Sequence, residues 1–169
     1  MGKQLVVING TGGSGKDTFV EFVSKYEKIL NFSSVDKVKE IAKIIGWEGG
    51  KSEKDRKFLS DLKRLTTEYN DMAFNSMKEA VDGFKNSDDE IMFIHIREPE
   101  EIQRAVCNFG AKTLLIKRVG LDNISSNYSD ASVDNYNYDF IIENSTLESL
   151  DNKAEEFVKK LKQKEEENK

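Results

Sequence analysis

The stretch Gly10-Thr11-Gly12-Gly13-Ser14-Gly15-Lys16-Asp17-Thr18 constrains this chain more than any other. It follows the apolar run Leu5-Val6-Val7-Ile8 and precedes Phe19, Val20, Val23 and Tyr26, which recur at helical spacing. Strand, glycine-rich turn and helix in that order are what a phosphate-binding loop requires. The glycines let successive backbone N–H groups converge on phosphate oxygens with no Cβ in the way. A helix beginning near Gly15 adds the positive end of its dipole, and Lys16 adds a full charge. Gly10, Gly15 and Lys16 meet the G-x-x-x-x-G-K-[ST] spacing, with Asp17 standing where Ser or Thr reaches Mg2+.

At 169 residues the chain is about one domain, large enough to bury a substantial core. A charged fraction of 34% against 37% hydrophobic describes a soluble composition with a polar lean. The net charge of −5 argues against a protein that coats nucleic acid. Cys107 stands alone and forms no internal disulfide, which suits a reducing cytoplasm. Met1-Gly2-Lys3-Gln4 leads straight into the first strand, so no signal peptide is expected, and Val6 stands where a myristoylation signal has Ser or Thr. No apolar run approaches membrane-spanning length. The expectation is a cytoplasmic protein, monomer or homodimer, with no membrane and no nucleic-acid partner.

Along the chain, apolar runs at Ile29-Leu30-Asn31-Phe32, Ile91 to Ile96, Thr113 to Ile116 and Phe140 to Ile142 read as four further strands. Between them lie helical patterns. Val35 to Ile45 ends at Gly46; Glu53 to about Phe84 reads as two helices with a break at Thr66-Thr67; Pro99 opens a helix that Gly110 closes. Ser145 and Glu148 form a capping box ahead of the last helix. Residues 119–137 show no clear period, and Lys164 to Lys169 reads as a frayed, charged tail. Strands alternating with helices give a parallel sheet covered on both faces, whose ligands sit beyond the carboxyl ends of the strands.

That edge selects the residues able to do chemistry. Of the five arginines, Arg97 and Arg118 stand at strand ends, where guanidinium forks can clamp phosphate. Arg64 is the one further arginine able to reach the site from its helix, and Arg56 and Arg104 read as surface residues. Asp36 and Lys39 open the second helix beside Ser33; Asp36 either complements the helix dipole or contacts an acceptor. His95, the sole histidine, is either a hydrogen-bonded structural residue or a group facing the phosphates, at the strand end where P-loop enzymes often carry an Asp. There is no His and Cys cluster with zinc spacing.

With these residues in view, the chain resembles the P-loop nucleoside monophosphate kinase group, and most closely its deoxynucleotide monophosphate kinase-like branch. The loop Gly10 to Thr18 is similar to that branch's G-K-D-T loop, and Phe32 to Lys39 is similar to the segment leading into its acceptor-binding helix. Ile94-His95-Ile96-Arg97 with Glu101 resembles a D-x-R strand end, with His95 in place of the Asp, and Ile142 to Glu148 resembles the family's N-x-T-L-E-E-L ending near the donor adenine.

The resemblance implies a three-layer P-loop NTPase fold over 1–163, with an acceptor-binding helical segment at about 33–85, a short lid at about 118–137 and a charged tail at 164–169. It implies transfer of the γ-phosphoryl group of ATP, with Mg2+, to a small phosphorylated acceptor, with a (deoxy)nucleoside monophosphate foremost. Gly10, Gly12, Gly13, Ser14, Gly15, Lys16, Asp17, Thr18 and Asn144 would bind the donor, Asp17 and Thr18 also ordering the metal through water. Lys16, Arg97 and Arg118 would be catalytic, and Ser33, Asp36, Lys39, Arg64 and Arg97 would bind the acceptor. Animal-type phosphomevalonate kinases share a G-K-D loop, so a non-nucleotide acceptor is an alternative, as is a regulatory nucleotide-binding protein.

Overall fold

The structure, a computed structural model, describes residues 2–120 and 133–166, with side chains to residue 163. The central part of the expected lid, 121–132, lies outside the described residues.

The strands are β1 (Gln4–Asn9), β2 (Ile29–Ser33), β3 (Ile91–His95), β4 (Lys112–Arg118) and β5 (Phe140–Asn144). The helices are α1 (Lys16–Val23), α2 (Asp36–Ile44), α3 (Glu53–Asn70), α4 (Met72–Lys85), α5 (Pro99–Phe109) and α6 (Leu147–Glu166). The strands form one parallel sheet in the order β2-β3-β1-β4-β5, with helices on both faces. β1 is therefore central, in register with β3 from Gln4 opposite Ile91 to Ile8 opposite His95, and with β4 from Val6 opposite Lys112.

Alternation along each strand sorts the apolar runs onto two faces. Val6, Ile8, Ile91, Phe93, Leu114 and Ile116 meet Phe19, Val20 and Val23 of α1 and Leu150, Phe157 and Leu161 of α6 in one core cluster. Phe157 anchors it, with ring centroids 5.6 Å from Phe19, 6.4 Å from Phe93 and 5.2 Å from Phe140. Truncating such a residue to Ala typically costs about 3–5 kcal/mol. The intervening Val7, Met92, Ile94 and Leu115 are equally buried, as are Ile102 and Ala105 of α5, which packs on β1 and β4. Among the described residues no helix is long and apolar enough to cross a membrane.

The chain divides into two compact units, one of Met1–Asn31 with Ser87–Lys169 and one of Phe32–Asn86. In the second, α2, α3 and α4 pack on one another. Its core comes from Val38 and Ala42 of α2 and from Ala73, Met77, Val81 and Phe84 of α4, whereas α3 buries no residue fully. α3 is held instead by a capping box between Ser52 and Asp55 and by i,i+4 ion pairs such as Lys57–Asp61 at 2.7 Å.

Three local expectations are corrected. The helix over 53–84 does divide in two, but at Asp71, whose φ is 56°, and not at Thr66-Thr67. The Thr66 hydroxyl donates to Leu62 O at 2.8 Å and stays within α3. The cap of α6 is Thr146 instead of Ser145: Thr146 Oγ1 accepts the Ser149 N–H at 3.1 Å, which moves the helix start to Leu147. The tail is helical as far as Glu166.

Candidate functional site

The C-terminal end of central β1 leads directly into the glycine turn. Gly10 has φ 156°, and a Cβ built there would stand 2.6 Å from both Ile116 O and Ser14 Oγ, so the turn closes against β4 only because no side chain intervenes. Ser14 N–H donates to Thr11 O at 3.1 Å and Phe19 N–H to Gly15 O at 2.9 Å, which carries the turn into α1. Gly15 caps α1 at φ 95°, and no side chain caps that helix end, so its first amides remain for an anion. Ser14 Oγ is buried with no hydrogen-bond partner among the described residues, a polar atom that a bound ligand's oxygen would satisfy.

Two cations close on the turn. Lys16 Nζ donates to Gly10 O at 2.9 Å and to Thr11 O at 3.5 Å. Arg118 Nη1 donates to Gly13 O at 3.3 Å. Arg118 and Asn144 are register partners at the ends of β4 and β5, and the Asn144 amide donates to Ser14 O at 3.0 Å. A cavity of about 350 Å³ opens beside these groups, lined by Gly13 to Thr18, Arg118 and Asn144 to Leu147. Leu147, 66% exposed, presents an apolar side chain on this lining. A turn of amides, an ammonium and a guanidinium beside an apolar wall can bind a phosphorylated ligand that also carries a flat apolar group.

Among the described residues no three or more His, Cys, Asp or Glu side chains are grouped to hold a metal. Asp17 and Thr18 on the cavity lining carry a carboxylate and a hydroxyl, oxygen donors of the kind that would hold Mg2+ together with waters and ligand phosphates.

The structure thus gathers Gly13, Ser14, Gly15, Lys16, Asp17, Thr18, Arg118 and Asn144 on one cavity, whereas Gly10, which is buried, and Gly12, which is exposed, are not on its lining. Arg97 does not line this cavity; its carbonyl lies 3.2 Å from Asn9 Nδ2 at the end of β1. Ser33, Asp36, Lys39 and Arg64 belong to the Phe32–Asn86 unit. There Asp36 Oδ2 accepts the Ser33 N–H at 2.9 Å, Lys39 is half-buried, and Arg64 pairs with Glu68 at 3.1 Å. His95 Nε2 lies 2.7 Å from Asn31 Oδ1 on β2. An amide oxygen only accepts, so Nε2 carries the hydrogen.

Sequence reading missed Asn9 and Tyr138. Asn9 Oδ1 accepts the Gly10 N–H at 2.8 Å, and Asn9 Nδ2 donates to Tyr138 OH at 2.9 Å. Burial pushes the Tyr138 phenol up to about 12, against the opposing pull of the Asn9 hydrogen bond. An Asn ending an otherwise apolar run was the available clue to Asn9. Lys117 and Asp134, on either side of residues 121–132, pair at 2.7 Å.

No family model matches the sequence. No curated protein matches it either. Among solved structures, a thymidylate kinase from Ehrlichia chaffeensis is similar over 94% of this chain and 100% of its own, with TM-score 0.50 and 10% identity. TT1252 from Thermus thermophilus aligns over 95% of this chain and 99% of its own, with TM-score 0.49 and 15% identity. An APS kinase from Mycobacterium tuberculosis aligns over 95% and 97%, with TM-score 0.44 and 14% identity. The likeness to the thymidylate kinase is one of fold, which in this chain is a five-stranded parallel sheet with helices on both faces.

Proposed function

We propose that the chain is an ATP-dependent phosphotransferase that, with Mg2+, moves the γ-phosphoryl group to a small phosphorylated acceptor, a nucleoside or deoxynucleoside monophosphate. The observation that carries this reading is the convergence of the turn's amides, Lys16 and Arg118 on one cavity at the carboxyl edge of the sheet. Phosphoryl transfer asks for alignment and charge neutralisation more than for covalent help. Lys16 would exchange the carbonyls of Gly10 and Thr11 for the β- and γ-phosphates, and Arg118 would neutralise charge developing in transfer. Asn144 fixes the turn through Ser14 O while Leu147 gives the donor base an apolar wall. The sequence supports giving acceptor recognition to Arg97 and to Ser33, Asp36, Lys39 and Arg64.

The test is a panel of nucleoside monophosphates, deoxynucleoside monophosphates and phosphomevalonate with ADP release as readout. Turnover with a member of the first two classes is expected, and turnover with phosphomevalonate alone would move the acceptor to a non-nucleotide ester. Arg97→Ala should raise the acceptor KM more than the ATP KM; the reverse order would reassign Arg97 to the donor. A second reading, nucleotide binding without transfer, is favoured by the end of β3, where His95 pairs with Asn31 and no carboxylate stands within the strand. ATP binding without ADP release for any acceptor would establish that reading instead.

A further inference from the structure

Asn9 is 1% exposed, and its amide bonds to the adjacent Gly10 and to two distant points of the chain, Arg97 and Tyr138. Oδ1 takes the Gly10 N–H at 2.8 Å; Nδ2 gives one hydrogen to Arg97 O at 3.2 Å and the other to Tyr138 OH at 2.9 Å. Tyr138, 8% exposed as a residue, donates onward through its hydroxyl to Val133 O at 2.9 Å. Only one amide orientation satisfies this set, because a flipped amide would oppose an N–H to the Gly10 N–H. A buried network satisfied at every member fixes geometry, and a half-satisfied one is costly. Gly10 is thereby held from both sides, its N–H by Asn9 and its carbonyl by Lys16.

We infer that Asn9 is a positioning residue for phosphoryl transfer: it sets the entry of the phosphate turn through Gly10 and the placement of Arg97 through its carbonyl, with Tyr138 keying the amide. The inference rests on the phosphotransferase reading above. A purely stabilising network would change melting temperature alone. A positioning network changes ligand constants in protein that is still folded.

The decisive variant is Asn9→Asp, which keeps the acceptor toward Gly10 N–H, leaves one donated hydrogen when protonated and none when ionised, and places a buried carboxyl behind the turn. Burial raises that carboxyl's pKa, so its charge can be titrated in and out. ATP affinity is measured by calorimetry from about pH 6 to about pH 9, and the variant's Kd is divided by the parent's at each pH. The ratio is expected to rise with pH to about tenfold, as the carboxylate comes to face the bound phosphates. Tyr138→Phe, which only removes the hydroxyl, should weaken ATP about threefold with no such pH trend. Asn9→Ala should raise the acceptor KM in the parent but add little in an Arg97→Ala background, because both act through one placement. Folded variants with parental ATP and acceptor constants at every pH would overturn the inference and leave the phosphotransferase reading standing. A parent protein that binds no ATP would overturn both.

Discussion

Gly15→Ala is the substitution whose cost the structure resolves most fully. Gly15 holds φ 95° and ψ 18° at the start of α1, and a Cβ there would run into Asn144 Nδ2. The amide has no easy retreat, since Asn144 is buried and its hydrogen bond to Ser14 O at 3.0 Å is itself buried. Two costs add. Holding Ala in the left-handed region costs about 1–2 kcal/mol. Displacing the amide forfeits its hydrogen bond and strands a buried carbonyl, about 1–3 kcal/mol. The sum of about 2–5 kcal/mol corresponds to a fall of about 4–20 °C in Tm for a chain of this size. Circular dichroism melts of Gly15→Ala, Asn144→Ala and the double variant test the reasoning. Because Asn144→Ala removes the obstacle, the double variant should be less destabilised than the two singles summed, by about 1–2 kcal/mol. Strict additivity would show that the two side chains do not compete for one space, and an unchanged Tm in Gly15→Ala would refute the whole account.

Two further outcomes follow from the same geometry. Lys16→Ala removes an ammonium that donates to the turn carbonyls of Gly10 and Thr11, so ADP release should vanish while the melt moves by about 1 kcal/mol; retained turnover would discard the phosphotransferase mechanism. For Tyr138, the folded protein holds the phenolic proton more tightly than the unfolded chain, so its contribution is complete below pH 10.0 and is lost as pH climbs to about 12. The difference is at most about 3 kcal/mol. Urea titrations should show the parent losing more stability than Tyr138→Phe across that window, and parallel curves would contradict the burial argument.

All five strands are legible from sequence; β1, β3 and β4, covered on both faces, are written as unbroken apolar runs such as Ile91 to Ile94, and the half-exposed β2 and β5 as shorter ones. The turn proposed to hold the donor is legible for a related reason: its residues are contiguous from Gly10 to Thr18, and local spacing encodes their geometry. The helix break at Asp71 is not legible, since neither glycine nor proline marks it and a left-handed Asp leaves no pattern. Ser145 and Thr146 are adjacent capping types, and spacing alone favours the wrong one. Asn9 and Tyr138 lie 129 residues apart, and a pairing at that separation is set by topology, not by local periodicity.

The glycine turn grows from the middle strand of the sheet: β1 is flanked by β3 on one side and β4 on the other, each of which is itself covered by a further strand. Amides in such a strand open to solvent only when the sheet as a whole comes apart. The helix α3, by contrast, buries nothing fully and leans on surface ion pairs that salt weakens. A rising denaturant gradient would therefore take the molecule apart in sequence, fraying α3 early and sparing the glycine turn until the last cooperative step.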